Sequence, residues 1–136
     1  MEPYRHKVQV YETDNMGIVH HSNYIRFMEE ARVDFMERSG YGYERMVAEG
    51  VVSPVVSVSA DYKRSTKYPD IIEIKVFVIE MSALKVKIGY EMTCGGKVCC
   101  TASSVHCFID GATNRPVALE TRFPDLYRIF CDALKG

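Results

Sequence analysis

The sequence concentrates its reactive side chains between Glu12 and Tyr24, a stretch that reads E-T-D-N-M-G-I-V-H-H-S-N-Y. A carboxylate such as that of Asp14 can act as a nucleophile or as a general base. Histidine titrates near neutral pH, and two of them, His20 and His21, are adjacent here. The stretch leads into a predicted helix, whose first N–H groups have no partner within the helix and favour negative charge.

Each of these residues also has a purely structural interpretation. Asp14, Asn15 and Gly17 are ordinary turn residues, and most aspartates in such turns are structural. His20 and His21 precede a helix, where histidine is often a surface or capping residue. We therefore treat the stretch as a candidate for acid–base or nucleophilic chemistry and ask which elements position it.

The helix that follows is predicted from the spacing of its apolar residues. These residues recur every three or four positions and fall on one face: Tyr24, Phe27, Met28, Ala31 and Phe35. Ser22 or Asn23 is suited to cap its start, and Ser39-Gly40 to end it. Arg26 and Glu30 are expected on the opposite face as an i,i+4 pair.

The rest of the chain is predicted to be mostly strand. Strands are expected over residues 5–12, 51–61, 71–81, 84–93 and 97–109, a helical turn over 44–49, and a helix over 124–134. In the second strand, alternation predicts a buried face formed by Val56, Val58 and Ala60. Strands and helices do not alternate, so we predict one α+β domain over residues 1–136, with an antiparallel sheet wrapped over one long helix.

Composition narrows the class of partner. The net charge is −1 and 26% of residues are charged, which gives no reason to expect a nucleic acid or membrane partner.

No apolar run is long enough to span a bilayer, and the first residues lack the apolar segment of a signal peptide, so a cytoplasmic location is expected. The five cysteines contain no C-x-x-C pair and are expected to pack in the core, with no metal site.

The stretch resembles the signature of the 4-hydroxybenzoyl-CoA thioesterase family, whose members are hot-dog-fold acyl-CoA thioesterases. The signature is D/E-x-D-x-x-G-x-V, a polar segment ending in Tyr, and a long helix with Glu and Arg. Here it is met by Glu12 to Val19, by Tyr24, by Glu29 or Glu30, and by Arg32. His21, three residues before Tyr24, resembles the bacterial branch of the family.

The resemblance implies hydrolysis of a thioester to a carboxylic acid and free coenzyme A. It implies that Asp14 carries the essential carboxylate, as nucleophile or as general base, and that a backbone N–H group at Tyr24 polarises the carbonyl. His21 is expected to assist, by orienting water or polarising the thioester. No cofactor is expected, because coenzyme A is part of the substrate.

Substrate contacts are expected at three further positions. Gly17 is suited to a special backbone conformation or to close approach of the acyl chain. Lys63, Arg64 and Lys67 form a basic cluster that either is solvated or contacts the phosphates of coenzyme A. Among them, Arg64 and then Lys67 are the expected phosphate ligands.

The resemblance also implies a homodimer or homotetramer with the active site at the interface, acting on coenzyme A or acyl-carrier-protein thioesters. Two alternatives remain open. Asp14 and His21 could serve a hydratase or dehydratase acting on enoyl thioesters. The same fold could also bind acyl-CoA without catalysis.

Overall fold

The computed structural model describes residues 1–135. The strands are β1 (Tyr4–Lys7), β2 (Val51–Val52), β3 (Val55–Tyr62), β4 (Ile71–Met81), β5 (Lys85–Cys94), β6 (Lys97–Cys107) and β7 (Ile109–Asp110). The helices are α1 (Asn23–Arg38), α2 (Tyr43–Glu49), α3 (Leu119–Arg122) and α4 (Pro124–Asp132), with a short 3₁₀ helix over Val10–Glu12.

Five strands form one antiparallel sheet in the order β1-β4-β5-β6-β3, and β2 pairs with β7 in a separate ribbon. The β5–β6 hairpin turns through Gly95 and Gly96, which have φ values of 59° and 79°. Positive φ at both central residues is what a tight two-residue hairpin requires. The predicted α+β class is confirmed.

Helix α1 buries the predicted face. Tyr24, Phe27, Met28, Ala31 and Phe35 are all buried in the core. The helix packs on β1 and β4, and it ends where predicted, because Gly40 has a φ of 85° that only glycine adopts without strain. The first turn of this long helix is therefore held rigidly at one end of the sheet.

The strand predicted over residues 5–12 is too long, since β1 ends at Lys7. Val10, within the predicted strand, is 65% exposed. The reason is local: the Glu12 carboxylate accepts the Gln9 N–H group at 2.7 Å and closes a 3₁₀ turn. That turn redirects the chain toward the start of α1.

The buried face predicted for β3 is also wrong. Val56 and Val58 are 50% and 40% exposed. Strand β3 is an edge of the sheet, and α1 packs on β1 and β4, so within residues 1–135 no helix covers these side chains. Pro54 separates β3 from β2, in agreement with its missing N–H donor.

The predicted Arg26–Glu30 ion pair is not formed either. Glu30 instead accepts a hydrogen bond from the Tyr4 hydroxyl at 2.8 Å, and the same carboxylate oxygen lies 2.9 Å from Nδ1 of His6. Both partners come from β1, against which this side of α1 lies. A long-range contact therefore replaces the local pair.

All five cysteines are free thiols, at Cys94, Cys99, Cys100, Cys107 and Cys131. Burial raises the pKa of Cys99 to about 11 and that of Cys100 to about 12, so both remain protonated at neutral pH. Such thiols behave as small apolar side chains. Within the described residues, no helix is long and apolar enough to cross a membrane.

Candidate active site

A cleft of about 280 Å³ lies beside the first turn of α1. Its walls bring together Asp14, His21, Tyr24 and Arg64. Gly17 and Lys67, the other two predicted site residues, do not line it. The cleft therefore unites the three predicted catalytic positions with one of the predicted phosphate ligands.

Asp14 is held in a closed turn. Its N–H group donates to the Ile18 carbonyl at 2.8 Å, and its carbonyl accepts the Gly17 N–H at 3.0 Å. In the side chain, Oδ1 accepts the Met16 N–H at 2.8 Å. No other hydrogen bond reaches this carboxylate from residues 1–135, so Oδ2 is available to water or to a substrate.

Gly17 closes this turn with a φ of 80°. Among the described atoms, none lies within 4 Å of the position that a Cβ would take. The turn therefore requires glycine for its backbone conformation. Contact between Gly17 and an acyl chain stays a prediction.

The start of α1 is tied to the same turn. The Glu12 carbonyl accepts the His20 N–H at 2.9 Å and the Asn23 side-chain amide at 2.8 Å. The Tyr24 N–H group has only a long bond, 3.3 Å, to the His21 carbonyl. A donor so weakly engaged, at the positive end of a helix, is suited to bind a developing oxyanion.

The Tyr24 side chain is buried at the cleft wall. Its hydroxyl lies 2.7 Å from Oγ1 of Thr66, in a buried contact. Burial raises the pKa of Tyr24 to about 12, although the Thr66 hydrogen bond acts in the opposite direction. The phenol therefore remains protonated and has a packing role.

Thr66 also brings the basic segment to the cleft. Its carbonyl accepts the Val19 N–H at 2.8 Å. This bond joins residues 63–67 to the residues that follow the Asp14 turn. Lys63 and Arg64 line the cleft, and their N–H groups donate to the Cys99 carbonyl. Lys67 lies outside the cleft, and its N–H group donates to the Asp70 carboxylate.

His21 is exposed at the cleft, and its ring lies 4.3 Å from that of His20. The His21 carbonyl accepts a hydrogen bond from the Tyr62 hydroxyl at 3.1 Å. Tyr62 is a cleft residue that sequence reasoning missed, since a tyrosine at the end of a predicted strand carries no signal of a site. Because Tyr62 is the last residue of β3, this edge strand ends at the cleft.

A second cavity, of about 590 Å³ and mostly apolar, lies between α1, α2 and the sheet. At its wall, Arg32 donates to the Tyr90 hydroxyl at 3.0 Å, and Tyr90 and His106 both lie 2.7 Å from the Ser104 hydroxyl. Burial, and then the charge of Arg32, lower the pKa of His106 to about 4. His106 is thus a neutral structural histidine.

Among residues 1–135, the structure contains no group of three or more His, Cys, Asp or Glu side chains arranged to hold a metal ion. Glu12, two residues before Asp14, is 5% exposed and lies behind the cleft. Its partners are His6 and the backbone of Gln9. Of the two carboxylates in the motif, only Asp14 faces the cleft.

Comparison with known proteins identifies the family of this chain. Residues 8–128 match the model of the thioesterase-like superfamily. The putative acyl-CoA thioesterase YneP of Bacillus subtilis is 31% identical over 130 residues, covering 95% of this chain and 94% of that protein. A putative esterase of Aquifex aeolicus is 35% identical over 106 residues, covering 78% and 83%.

Solved structures share the whole fold. A DHNA-CoA thioesterase from Staphylococcus aureus superposes with a TM-score of 0.87 at 31% identity, covering 95% of this chain and 87% of its own. A hypothetical protein from Thermus thermophilus gives a TM-score of 0.88 at 31% identity, covering 98% and 99%. The likeness confirms the predicted hot-dog fold.

Proposed function

Because this chain belongs to the thioesterase-like superfamily, we propose that it hydrolyses acyl-CoA thioesters to a carboxylic acid and coenzyme A. The names of similar proteins from Bacillus subtilis and Staphylococcus aureus support this reaction. One structural observation carries the proposal: a free oxygen of Asp14 shares a cleft with the first turn of α1.

The reaction needs a nucleophile on one side of the thioester carbonyl and a hydrogen-bond donor on the other. In one route, Oδ2 of Asp14 attacks the carbonyl carbon, the C–S bond breaks, and water hydrolyses the resulting anhydride. In the other, Asp14 removes a proton from water as the water oxygen attacks the carbonyl carbon; the C–S bond then breaks, and the proton passes to the departing thiolate of coenzyme A. Both routes need only water and the thioester, because hydrolysis changes no oxidation state.

The remaining cleft residues have supporting roles in this proposal. The Tyr24 N–H group, together with the dipole of α1, stabilises the oxyanion. His21 orients water or polarises the thioester from the exposed side of the cleft. Arg64 binds a phosphate group of coenzyme A, and Lys67, further along the same segment, binds a more distant one.

A homodimer is part of the proposal. Strand β3 pairs with β6 on one side and leaves its other edge unpaired, with Val56 and Val58 exposed. Such an edge invites pairing with a second copy. Because β3 ends at Tyr62 on the cleft wall, a partner strand would lie beside the active site; two dimers could further form a tetramer.

The thiols support a cytoplasmic location, since five free cysteines are typical of proteins in a reducing compartment. The carrier of the acyl group is either coenzyme A or acyl carrier protein. Arg64 is suited to both, since each carrier presents a phosphate group near its pantetheine arm.

The test is thiol release from a panel of short, long and aromatic acyl-CoA substrates, with wild type, Asp14→Asn and Asp132→Asn compared. Asp132 is exposed in α4, far along the chain from the cleft, and serves as the matched control. We expect turnover by wild type and by Asp132→Asn, and a loss of about 100-fold or more in kcat for Asp14→Asn.

Equal rates for wild type and Asp14→Asn would show that the active site lies elsewhere. No thiol release from any substrate, together with water addition to an enoyl-CoA, would replace the hydrolase by a hydratase.

A further inference from the structure

His6 lies in the core between two carboxylates. Its Nε2 is 2.8 Å from Oε1 of Glu12, and its Nδ1 is 2.9 Å from Oε1 of Glu30. The His6 and Glu12 side chains are 10% and 7% exposed. The Glu30 side chain is 38% exposed. The imidazole thus joins β1, the 3₁₀ turn and α1, with Glu12 on its buried side and Glu30 on its solvent side.

Both of these short contacts need a proton. A neutral imidazole has one N–H donor and one lone pair, and a lone pair facing a carboxylate oxygen at this distance is repelled. The carboxylates already act as acceptors, because the Gln9 N–H group donates to Glu12 and the Tyr4 hydroxyl donates to Glu30. The arrangement is satisfied when both protons reside on His6.

No other charged side chain among residues 1–135 bonds to the ring of His6. The face of the imidazole packs on Phe27, with the ring centroids 4.1 Å apart. The two carboxylates are therefore the electrostatic partners of the ring, and a singly positive imidazolium is matched by two negative groups.

Glu12 connects His6 to the residues of the cleft. The side chain of Glu12 is fixed by His6, while its backbone carbonyl holds the His20 N–H group and the Asn23 amide. Two residues later the chain reaches Asp14. Glu12 therefore sets the position of the Asp14 turn relative to the first turn of α1.

We infer that His6 is a doubly protonated imidazolium that locks Glu12 and thereby positions Asp14 against the oxyanion donor at the start of α1. His6 and Glu12 are positioning residues, since neither lines the cleft. The catalytic part of this inference rests on the proposed thioester hydrolysis, whereas the protonation of His6 does not.

The protonation is tested on the wild-type protein by NMR of ¹⁵N-labelled histidine at pH 7. The chain has four histidines, and the signals of His6 are those lost in His6→Gln. We expect both ring nitrogens of His6 to show the shift of a protonated nitrogen. One protonated and one unprotonated nitrogen would overturn the inference, whether or not the protein is an active thioesterase.

The positioning is tested by steady-state kinetics of His6→Phe, His6→Gln and Glu12→Gln, with Glu29→Gln as the matched control on the exposed side of α1. Loss of the contact between His6 and Glu12 should lower kcat by about 10- to 100-fold and leave KM within about twofold, because misplacement of the reacting groups affects the chemical step. His6→Gln retains a donor toward Glu12 and should keep about fivefold more activity than His6→Phe.

If the role of His6 is merely structural, both His6 variants should lose thermal stability equally, and their kcat values should not follow this order. If wild type hydrolyses thioesters and Glu12→Gln and His6→Gln have the kcat of Glu29→Gln, the positioning role is wrong. If wild type hydrolyses none, the proposed function fails, while the NMR result still decides the state of His6.

Discussion

The phenol oxygen of Tyr24 and Oγ1 of Thr66 lie 2.7 Å apart, in a buried contact that links the first turn of α1 to the basic segment. The two residues are 42 positions apart in the chain. Through this contact and the Val19–Thr66 backbone bond, the segment carrying Arg64 is fixed beside the Asp14 turn.

Tyr24→Phe tests whether the side chain or the backbone of Tyr24 serves the reaction. We expect kcat within about threefold of wild type, because the N–H group remains in place. Stability should fall by about 1–3 kcal/mol, since the Thr66 hydroxyl loses its buried partner. Urea denaturation should show partial recovery in the double variant Tyr24→Phe/Thr66→Val; a large loss of kcat would instead implicate the phenol.

Arg64→Gln tests the predicted phosphate contact. We expect KM for acyl-CoA to rise by about 10-fold, because a charge-assisted bond to phosphate is lost. KM for an acyl-pantetheine thioester, which lacks the phosphates, should be unchanged. Arg128→Gln, in an exposed position on α4, is the control; an equal effect on both substrates would contradict a phosphate-specific role.

Gly17→Ala tests the turn that holds Asp14. The φ of 80° should make alanine costly by about 1 kcal/mol in the free energy of unfolding. The neighbouring Asn15→Ala should change stability by no more than about 0.5 kcal/mol. Chemical denaturation measures both, and a neutral Gly17→Ala would mean that the turn adopts another conformation.

His106 makes stability depend on pH. Its pKa is lowered from 6.5 to about 4 in the folded protein, so the unfolded chain binds a proton at pH values where the folded one does not. The neutral state is fully favoured above pH 6.5. Stability therefore falls as the pH decreases from 6.5 to 4, by up to about 3 kcal/mol.

Because carboxylates also titrate near pH 4, the measurement is the difference between wild type and His106→Gln in urea denaturation over this range. We expect the pH dependence between 6.5 and 4 to be shallower in the variant. Parallel curves would mean that His106 is protonated in the fold.

Val58→Lys tests the proposed dimer. A charge on the exposed apolar face of β3 should oppose pairing of the edge with a second copy. Light scattering should show a dimer for wild type and a monomer for the variant, with hydrolysis lost because the cleft loses its partner strand. Leu84→Lys, an exposed substitution between β4 and β5, should leave the dimer intact; a monomeric wild type would contradict the interface.

The sequence alone predicted the parts of this protein that depend on near neighbours. The burial pattern of α1 follows from a 3.6-residue period. The motif around Asp14 predicted the family and three residues that meet in one cleft. Each of these signals is contained within a short segment of chain.

Tertiary structure decided the rest, because it depends on which elements cover and bond to one another. Alternation in β3 predicted a buried face, but Val56 and Val58 are exposed because no helix among residues 1–135 covers them. Glu12, the first acid of the motif, is buried because β1 brings His6 against it. Periodicity records which residues share a face, whereas only the packed fold decides what that face meets.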